Sequence, residues 1–553
     1  MVGPLRAVSL SSWMGLKMPT VKDVTFNLLR QLGLTTIVGN PGSTEEPFLK
    51  NFPEDFDYVM ALQEASVVSI ADGLSQGLRK PVVVNLHTGA GTGNAMCAIL
   101  TAYLNKTPLI ITAGQQTRDM LLVEPMLTNI DATTLPRPWV KWAYEPARPQ
   151  DIPGAFMRAY ATAIQQPAGP VFLSLPLDDW DQPMDEMPPV RTVATRIGPD
   201  PARVSAFAER LNAAKAPVLI YGGDVARGGA DAWADGIALA ERLGAPVWSS
   251  PFCERPGFPE VHPQFAGVLP PAIGPLSDRL KGHDLILVVG APVFRYYPYV
   301  PGSYLPEGAE LIHVTDDPNA TAKAAVGDSL VSDAGLFLGA LLTQVNARPA
   351  HEGAALRSAP EVPVAGELPL TPTAVYATLQ ALLPDDFVLA QESPSNVAQL
   401  ADQIRIRKPD VSYAFASGGL GWTTPAAVGL ALAERKSGRE RPVLCVMGDG
   451  SFQYSIQAVY TAAQQQAHVI YVVLQNEEYG ILKQFAELEK TPNVPGLDLP
   501  GLDIVALGKG YGARSSSAST TEELASAFKA ALDFKGTSVI VVPITRKLRK
   551  LIG

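Results

Sequence analysis

Residues 442–480 contain the pattern that most constrains the fold of this 553-residue chain, PVLCVMGDGSFQYSIQAVYTAAQQQAHVIYVVLQNEEYG. An apolar run ends at a GDG triplet that contains Asp449, an amphipathic segment follows, and a second apolar run ends just before Asn476. Two continuous apolar runs joined by an amphipathic segment predict two buried parallel strands connected by a helix. Both polar residues therefore follow strands at their carboxyl ends, which is the edge where ligands bind in open α/β sheets.

Asp449 and Asn476 each place one oxygen-bearing side chain at that edge. Asn476 follows Asp449 by 27 residues, enough for one crossover helix and one returning strand. A carboxylate, an amide oxygen and a nearby backbone carbonyl form a hard-oxygen site that suits Mg²⁺. For an isolated GDG the alternative is a tight turn after a strand, and the spacing to Asn476 favours the metal site.

Composition limits the classes of protein to consider. The length allows about three or four domains, and 47% hydrophobic residues are enough for several cores. A formal net charge of −10 without a basic run argues against a nucleic-acid partner. The apolar runs are of strand length, far short of the ~18 residues that a membrane span needs, so no membrane association is expected.

The cysteines and the amino-terminal residues bear on location. Cys97, Cys253 and Cys445 are too few and too scattered for a disulfide framework or a metal cluster. Because they lie among apolar or small residues, we expect buried thiols in a reducing, cytoplasmic setting. Residues 1–17 lack a clear signal-peptide hydrophobic region and are expected to be a disordered tail before Met18, which is itself a candidate start.

Helical and β-branched segments alternate in three stretches, which predicts three doubly wound α/β domains at 18–185, 198–348 and 371–545. In the first domain, Ser43 or Thr44 is expected to cap a helix after the PGST turn. The glycines of the second domain do not form GxGxxG, which argues against a dinucleotide site there. The short basic tail after the last strand is expected to be solvated.

The chain also contains the blocks GNPGSTEEPFLKNFPEDF, ALQEASVVSIADG, NLHTGAGTGNAM, TAGQQTRDM, GAPVFRYYPY, GGLGW and NVPGLDLPG. With the GDG-to-Asn spacing, they resemble the benzoylformate decarboxylases, a family of thiamine diphosphate-dependent 2-keto acid decarboxylases, over nearly the whole chain after Met18. The resemblance implies pyrimidine-binding, central and pyrophosphate-binding domains, with thiamine diphosphate and Mg²⁺ as cofactors. It also implies a homotetramer with each active site between two chains.

The resemblance implies that Asp449, Asn476 and the backbone carbonyl of Glu478 hold Mg²⁺ on the diphosphate. Leu420, which by itself would be a core leucine, supports the bent cofactor in this family, and the carbonyl of Gly418 accepts a hydrogen bond from its aminopyrimidine. Further cofactor contacts are implied for Ser395, Gly448, Gly450, Ser451, Tyr479 and Gly480, and more loosely for Glu392.

Glu64, His87 and Ser43 are the catalytic candidates by the same resemblance. Taken alone, Glu64 is a carboxylate favoured by the dipole at a helix start; in the family it donates a hydrogen bond to the pyrimidine ring. His87 taken alone is a core histidine, whereas in the family it transfers protons near neutral pH. Ser43 taken alone is a helix cap, and in the family its hydroxyl binds the substrate carboxylate.

The chain departs from the family pattern in the substrate pocket. Tyr297 stands where the family has a second catalytic histidine, and a phenol with a pKa near about 10 transfers protons poorly at neutral pH. Pro394 replaces a threonine. Ile481 replaces a small alanine and takes space that the family leaves for an aryl ring. Phe485 and Leu497 keep the family's pocket residues.

The expected function is non-oxidative decarboxylation of a benzoylformate-like 2-keto acid to an aldehyde and CO₂. One alternative is a carboligase that makes 2-hydroxy ketones or acetolactate-type products from the same enamine intermediate. Another is a paralogue that binds the cofactor without turnover, and the intact Glu64, His87, Asp449 and Asn476 argue against it.

Overall fold

Three six-stranded sheets, in which every paired strand is parallel, organise the protein. The computed structural model describes residues 18–349 and 356–552. Helices connect the strands of each sheet, which confirms the predicted fold of three doubly wound α/β units. The expected tail at residues 1–17 lies outside the described residues.

The first sheet has the strand order β2-β1-β3-β4-β6-β5. Its strands are β1 Thr36–Gly39, β2 Asp57–Met60, β3 Val82–Leu86, β4 Leu109–Gln115, β5 Ala143–Tyr144 and β6 Val171–Pro176. Its helices are α1 Val21–Gln31, α2 Glu46–Leu49, α3 Glu64–Leu78, α4 Thr88–Asn94, α5 Met96–Leu104 and α6 Ile152–Ile164, with 3₁₀ turns at Arg118–Val123 and Pro149–Asp151. Strands β3, β4 and β6 are buried at every residue, as continuous apolar runs predict.

The central sheet has the order β12-β11-β10-β7-β8-β9. Its strands are β7 Pro217–Tyr221, β8 Val247–Ser249, β9 Phe265–Val268, β10 Leu285–Val289, β11 Glu310–Thr315 and β12 Asp328–Val331. Its helices are α7 Pro201–Ala213, α8 Gly223–Arg227, α9 Gly229–Leu243, α10 Ile273–Arg279, α11 Pro318–Lys323 and α12 Ala334–Leu342. Apolar residues pack on both faces of this sheet.

The third sheet has the order β14-β13-β15-β16-β18-β17. Its strands are β13 Val388–Glu392, β14 Ser412–Tyr413, β15 Val443–Gly448, β16 Val469–Gln475, β17 Arg514–Ser517 and β18 Ser538–Pro543. Its helices are α13 Pro372–Gln380, α14 Val397–Gln403, α15 Thr423–Lys436, α16 Asp449–Gln453, α17 Ala458–Gln464, α18 Gly480–Glu489, α19 Ile504–Gly510 and α20 Thr521–Phe534, with a 3₁₀ turn at Pro394–Asn396.

Helices α3 and α15 pack against each other and join the first and third sheets into one hydrophobic core. Glycines line the contact: a Cβ atom on Gly73 would lie 2.2 Å from the carbonyl oxygen of Ala426, and one on Gly429 would lie 2.0 Å from that of Ile70. The indole of Trp422 donates a 2.7 Å hydrogen bond to buried Asp72 across the same contact. The packing therefore fixes the two helix starts, Glu64 and the residues before Thr423, relative to each other.

Three local expectations are wrong. Helix α2 begins after Glu45 without a side-chain cap, because the hydroxyl of Thr44 donates to the Glu45 carboxylate instead. Of the three cysteines only Cys445 is buried; Cys253 is half-buried and Cys97 is exposed. The basic tail is not simply solvated, because the carbonyl of Arg549 accepts a 2.6 Å hydrogen bond from buried Gln484.

Among residues 18–349 and 356–552, none of the helices combines the length and the apolar character that a membrane crossing requires.

Candidate active site

The predicted metal-binding edge lies between β15 and β16, which are adjacent and parallel. Asp449 begins α16 directly after β15, and Asn476 follows β16 directly. The Asp449 carboxylate accepts hydrogen bonds from the backbone N–H groups of Glu477, at 2.7 Å, and Gly450, at 2.8 Å. The structure therefore brings Asp449 together with the Asn476–Glu478 segment, as the spacing predicts.

The electrostatics of this edge favour a cation. Asp449 is 2% exposed, and no lysine, arginine or histidine pairs with it among the residues that the structure describes. Burial raises the pKa of Asp449, and its backbone donors only partly oppose that effect. A divalent cation would compensate the desolvated carboxylate, and the donors present, one carboxylate, one amide oxygen and backbone carbonyls, are oxygen ligands that Mg²⁺ accepts.

The segment 477–479 is held in place by a second segment, 497–499. The N–H of Tyr479 donates to the carbonyl of Leu497 at 2.9 Å, and the N–H of Leu499 donates to that of Glu477 at 2.7 Å. These bonds use the residues on either side of Glu478, so its carbonyl takes no part in the pairing. Its side chain forms a 2.5 Å ion pair with Lys483, which leaves the carbonyl as the metal ligand that Glu478 can offer.

The nearby glycines allow close approach. A Cβ atom on Gly450 would lie 2.7 Å from the ring of Tyr479, and one on Gly480 would lie 3.0 Å from the hydroxyl of Ser395 and 3.1 Å from the amide of Asn476. Ser395, Gly450, Asn476, Tyr479 and Gly480 therefore form one cluster, which also contains buried Ser451. Gly448, in contrast, has open space where a Cβ would point.

The predicted cofactor loop before α15 is held by Glu392, at the end of β13. Its carboxylate accepts the N–H groups of Gly421, at 2.6 Å, and Thr423, at 2.9 Å. Burial raises the pKa of Glu392 to about 7, and these donors oppose the rise. Gly418 has φ of +75° and open space around its Cβ position, and Leu420 is half-buried, so the default interpretation of a core leucine is wrong.

Glu64 is held at the start of α3. The side chain of Gln63 caps this helix by accepting from the N–H groups of Ala65 and Ser66. The two carboxylate oxygens of Glu64 accept one amide hydrogen bond each, from Asn40 at 3.2 Å and from Asn94 at 3.0 Å. Glu64 is 8% exposed, so two amides fix a buried carboxylate from both sides.

His87 follows β3 and is held by a carboxylate that the sequence analysis missed. Its Nδ1 lies 2.8 Å from Oε2 of Glu45 and 3.2 Å from the hydroxyl of Thr44. A Cβ atom on Gly42 would lie 2.0 Å from the same nitrogen, so only glycine fits there. The imidazole is 23% exposed and therefore is not a core histidine. Ser43, between Gly42 and Thr44, is exposed.

Glu45, Asn40 and Asn94 are the site residues that the sequence analysis did not find. All three lie within the blocks GNPGSTEE and TGAGTGN that carry the family resemblance. These blocks contain two amides, each adjacent to a glycine, and a carboxylate, but the partners of these side chains depend on tertiary contacts.

Besides Ser43 and His87 of the first domain, the predicted pocket residues come from the central and third domains. The ring of Tyr297, in the central domain, lies 4.8 Å centroid to centroid from that of Phe485 in α18. Arg295 anchors the Tyr297 loop through a 2.6 Å ion pair with buried Glu254. Ile481 lies in the first turn of α18, against which the 3₁₀ turn beginning at Pro394 packs.

These residues form two separate groups within one chain. Ser43, Glu64 and His87 belong to the first domain, and the oxygen ligands of the metal edge belong to the third. Among the described residues, no hydrogen bond or ion pair joins the two groups.

Three protein-family models match successive parts of the chain. Residues 19–135, 204–341 and 395–542 match the models of the N-terminal TPP binding domain, the central domain and the C-terminal TPP binding domain of thiamine pyrophosphate enzymes. Together these matches cover most of the chain. The protein belongs to the thiamine pyrophosphate enzyme family. The expected family and its three-domain architecture are thereby confirmed.

The chain is similar to decarboxylases of one kind. It is 46% identical to the benzoylformate decarboxylase of Pseudomonas aeruginosa, over 95% of this chain and 99% of that protein. It superposes on the crystal structure of a benzoylformate decarboxylase from Polynucleobacter necessarius with a TM-score of 0.95 and 64% identity, covering 96% and 100% of the two chains. A 4-hydroxybenzoylformate decarboxylase of Rhodococcus jostii gives a TM-score of 0.91 and 42% identity over 95% and 99%.

Proposed function

We propose that the protein is a thiamine diphosphate- and Mg²⁺-dependent decarboxylase that converts an aryl 2-keto acid of the benzoylformate class to an aldehyde and CO₂. The observation that carries the proposal is the buried carboxylate of Asp449, which lies beside Asn476 with no cationic side chain paired to it among the described residues. The similarity to decarboxylases of benzoylformate and 4-hydroxybenzoylformate supports the substrate class.

In this proposal Asp449, Asn476 and the carbonyl of Glu478 would hold Mg²⁺, which would supply positive charge for the diphosphate group. Open space at Gly418 and Gly448 supports close approach of a ligand to the backbone. The proposed cofactor contacts are Glu64, Ser395, Gly418, Leu420, Gly448, Gly450, Ser451, Tyr479 and Gly480.

Thiamine diphosphate, when bound, supplies a nucleophilic carbon for the keto group and an electron sink for the bond that breaks as CO₂ leaves. The chain's own contribution begins with Glu64, which holds a proton at the pyrimidine ring. Because Asn40 and Asn94 already fix both oxygens of this carboxyl group, its orientation is set before the cofactor arrives, and no binding energy is needed to order it.

Ser43 and His87 act on the substrate. The exposed hydroxyl of Ser43 binds the substrate carboxylate and orients it for departure, and His87 delivers the proton that produces the aldehyde. Glu45 contacts the segments of both residues, because its carboxylate accepts from the N–H of Gly42, next to Ser43, at 3.1 Å and pairs with His87 at 2.8 Å. The position of the segment that carries Ser43 is therefore coupled to that of His87 through one carboxylate.

The proposed pocket consists of Ser43, His87, Tyr297, Pro394, Ile481, Phe485 and Leu497. The Tyr297–Phe485 pair offers an aromatic surface to an aryl group. Ile481 narrows the same region, so we propose a ring without a bulky substituent as the preferred substrate.

We propose that a complete site is formed by two chains; in support, no hydrogen bond or ion pair joins the first-domain and third-domain groups among the described residues. We propose the homotetramer of the family. A loop with many exposed apolar side chains supports an interface between copies, because exposed apolar side chains gathered in one segment are typical of interaction surfaces. Its exposed residues are Met120, Leu122, Val123, Met126, Leu127, Ile130 and Leu135.

We also propose the domain limits 18–185, 198–348 and 371–545, and a cytoplasmic location. Three free thiols support a reducing compartment.

The proposal is tested by assaying CO₂ release and aldehyde from a panel of aryl, branched and linear 2-keto acids, with thiamine diphosphate and Mg²⁺ present. We expect turnover with benzoylformate and weaker turnover with branched and linear acids. Glu64→Gln should lose most turnover while the cofactor still binds, measured by the thermal shift that cofactor and Mg²⁺ produce. Near-normal turnover in this variant would contradict the role of Glu64.

The same assay separates the alternatives. A carboligase would convert added aldehyde to a 2-hydroxy ketone faster than it releases free aldehyde. A paralogue without turnover would show the thermal shift but release no CO₂ from any of the acids.

A further inference from the structure

We infer that Glu45 is a positioning residue that fixes the tautomer and the orientation of His87. The inference rests on the proposed function where it concerns catalysis, because His87 is the proton donor there. Its geometric part, the control of the imidazole by the carboxylate, stands independently of the reaction.

Glu45 is almost completely buried; its side chain is 1% exposed. Oε1 accepts from the N–H of Gly114 at 2.9 Å and from the hydroxyl of Thr44 at 2.7 Å. Oε2 accepts from the N–H of Gly42 at 3.1 Å and lies 2.8 Å from Nδ1 of His87. Three donors therefore hold the carboxylate before the imidazole is considered.

This arrangement determines which ring nitrogen of His87 carries hydrogen. An ionised carboxylate only accepts hydrogen bonds, so a 2.8 Å contact requires Nδ1 to carry the proton. The hydroxyl of Thr44 gives its own proton to Glu45 and therefore offers only lone pairs to Nδ1. Both neighbours favour the same tautomer, which leaves Nε2 of the neutral ring with a lone pair for proton exchange with the substrate.

The Gly42 backbone blocks one side of the ring. The backbone of Gly42 lies so close that a Cβ there would be 2.0 Å from Nδ1. At the other side of the carboxylate, a Cβ on Gly114 would lie 2.1 Å from Oε1 of Glu45. Glycine at both positions lets the backbone approach the imidazole and the carboxylate closely. This close packing keeps the two groups in contact, in the orientation that proton transfer requires.

A purely structural role for Glu45 is the alternative, because the same carboxylate ties the loop after β1 to the end of β4. The two roles predict different behaviour of Glu45→Gln. Glutamine has the same size as glutamate and keeps one acceptor oxygen. Its amide NH₂ group takes the place of the second carboxylate oxygen and now faces other groups that also donate hydrogen bonds. Where it faces His87, it donates to Nδ1 and imposes the opposite tautomer, so that Nε2 carries the hydrogen.

The first measurement does not depend on activity. Diethyl pyrocarbonate acylates the unprotonated nitrogen of an exposed imidazole, and peptide mass spectrometry reads the rate at each histidine. We expect Glu45→Gln to slow modification of His87 several-fold, with His283, whose Nδ1 contacts the carbonyl of Ala216 at 3.1 Å, as the internal control. The matched control variant is Glu46→Gln, which changes the adjacent, exposed glutamate and should leave all rates unchanged.

The second measurement is kinetic and uses a double-mutant cycle. Glu45→Gln should lower kcat for benzoylformate by roughly 10²-fold, the scale of general acid–base catalysis, with a much smaller change in KM. In a His87→Ala background the same substitution should change kcat less than about threefold, because the residue through which it acts is gone. A structural role would lower kcat in both backgrounds and lower the melting temperature in parallel.

An unchanged rate of His87 modification in Glu45→Gln would overturn the control of the tautomer. A full kcat loss in the His87→Ala background would overturn the positioning role. Absence of CO₂ release by the wild-type protein would instead refute the proposed function, and the modification rates would still decide whether Glu45 controls His87.

Discussion

Replacing Gly429 with alanine should destabilise the protein and weaken its cofactor binding together. Gly429 lies in α15 at its closest contact with α3, where an added Cβ would be 2.0 Å from the carbonyl oxygen of Ile70 and 2.5 Å from the backbone nitrogen of Leu74. Both neighbours are backbone atoms of a buried helix, so no flexible side chain can move aside. The helices must separate or shift to admit the methyl group.

The magnitude follows from two opposing contributions. Alanine is favoured over glycine inside a helix by about 1 kcal/mol. Overpacking a tight core costs typically ~1–3 kcal/mol, and a contact this short with backbone lies at the upper end of that range. The expected net loss is about 2 kcal/mol, which for a cooperative unit of roughly 340 residues, the first and third domains that share this core, lowers the melting temperature by about 3 °C.

The control is Gly154→Ala, in the first turn of α6. Gly154 is exposed, and no atom lies within 4 Å of the position of its Cβ. The same chemical change without the clash should leave the melting temperature unchanged or raise it slightly. Thermal unfolding of both variants is measured by scanning calorimetry at one protein concentration, because oligomer formation makes the transition concentration-dependent.

Cofactor binding is the second measurement. Helix α3 begins at Glu64, and α15 follows the loop that contains Gly418 and Leu420. A shift between the helices should therefore raise the dissociation constant of thiamine diphosphate in Gly429→Ala but not in Gly154→Ala. A Gly429→Ala protein that melts at or above the wild-type temperature would refute the reasoning that backbone contact fixes this interface.

Three further changes test other parts of the site. Tyr297→His should raise kcat on benzoylformate, because an imidazole exchanges protons near neutral pH and a phenol does not. An unchanged kcat would indicate that Tyr297 has a different role. Asp449→Ala should abolish the Mg²⁺-dependent thermal shift with thiamine diphosphate, and a retained shift would remove Asp449 from the metal site. Burial raises the pKa of Glu260 to about 7, so its folded carboxyl keeps a proton that the unfolded chain loses near 4.5. The free energy of unfolding should therefore fall as the pH rises from 4.5 to about 7. In Glu260→Gln, the midpoint of urea unfolding should decrease less over the same pH range.

The fold could be predicted because the strands are buried on both faces. Continuous apolar runs such as those of β15 and β16 mark parallel strands directly, and their carboxyl ends lie at one edge by geometry. Asp449 and Asn476 could therefore be placed together from spacing alone. Helix α4 was not predicted, since its sequence TGAGTGN contains three glycines, which local propensity disfavours in a helix.

The partners of the site residues could not be predicted from local patterns. The cap expected at Ser43 or Thr44 fails because the buried carboxylate of Glu45, brought there by the fold, takes the proton of the Thr44 hydroxyl. Asn40 and Asn94 reach Glu64 from two different loops, and nothing in their own segments indicates that target. Such contacts depend on tertiary structure, so sequence identifies the residue types and not the pairs.

The hydrogen bonds also indicate where specificity can vary. Glu64, His87 and the predicted metal segment are each fixed by partners within their own domain, namely the two asparagines, Glu45 and residues 497–499. Their geometry is therefore set before the chains associate. The Tyr297–Phe485 contact differs, because it joins the central domain to the third, and Tyr297 is 60% exposed. If the proposed function holds, we expect substitutions at this contact to change substrate preference with a smaller effect on cofactor binding.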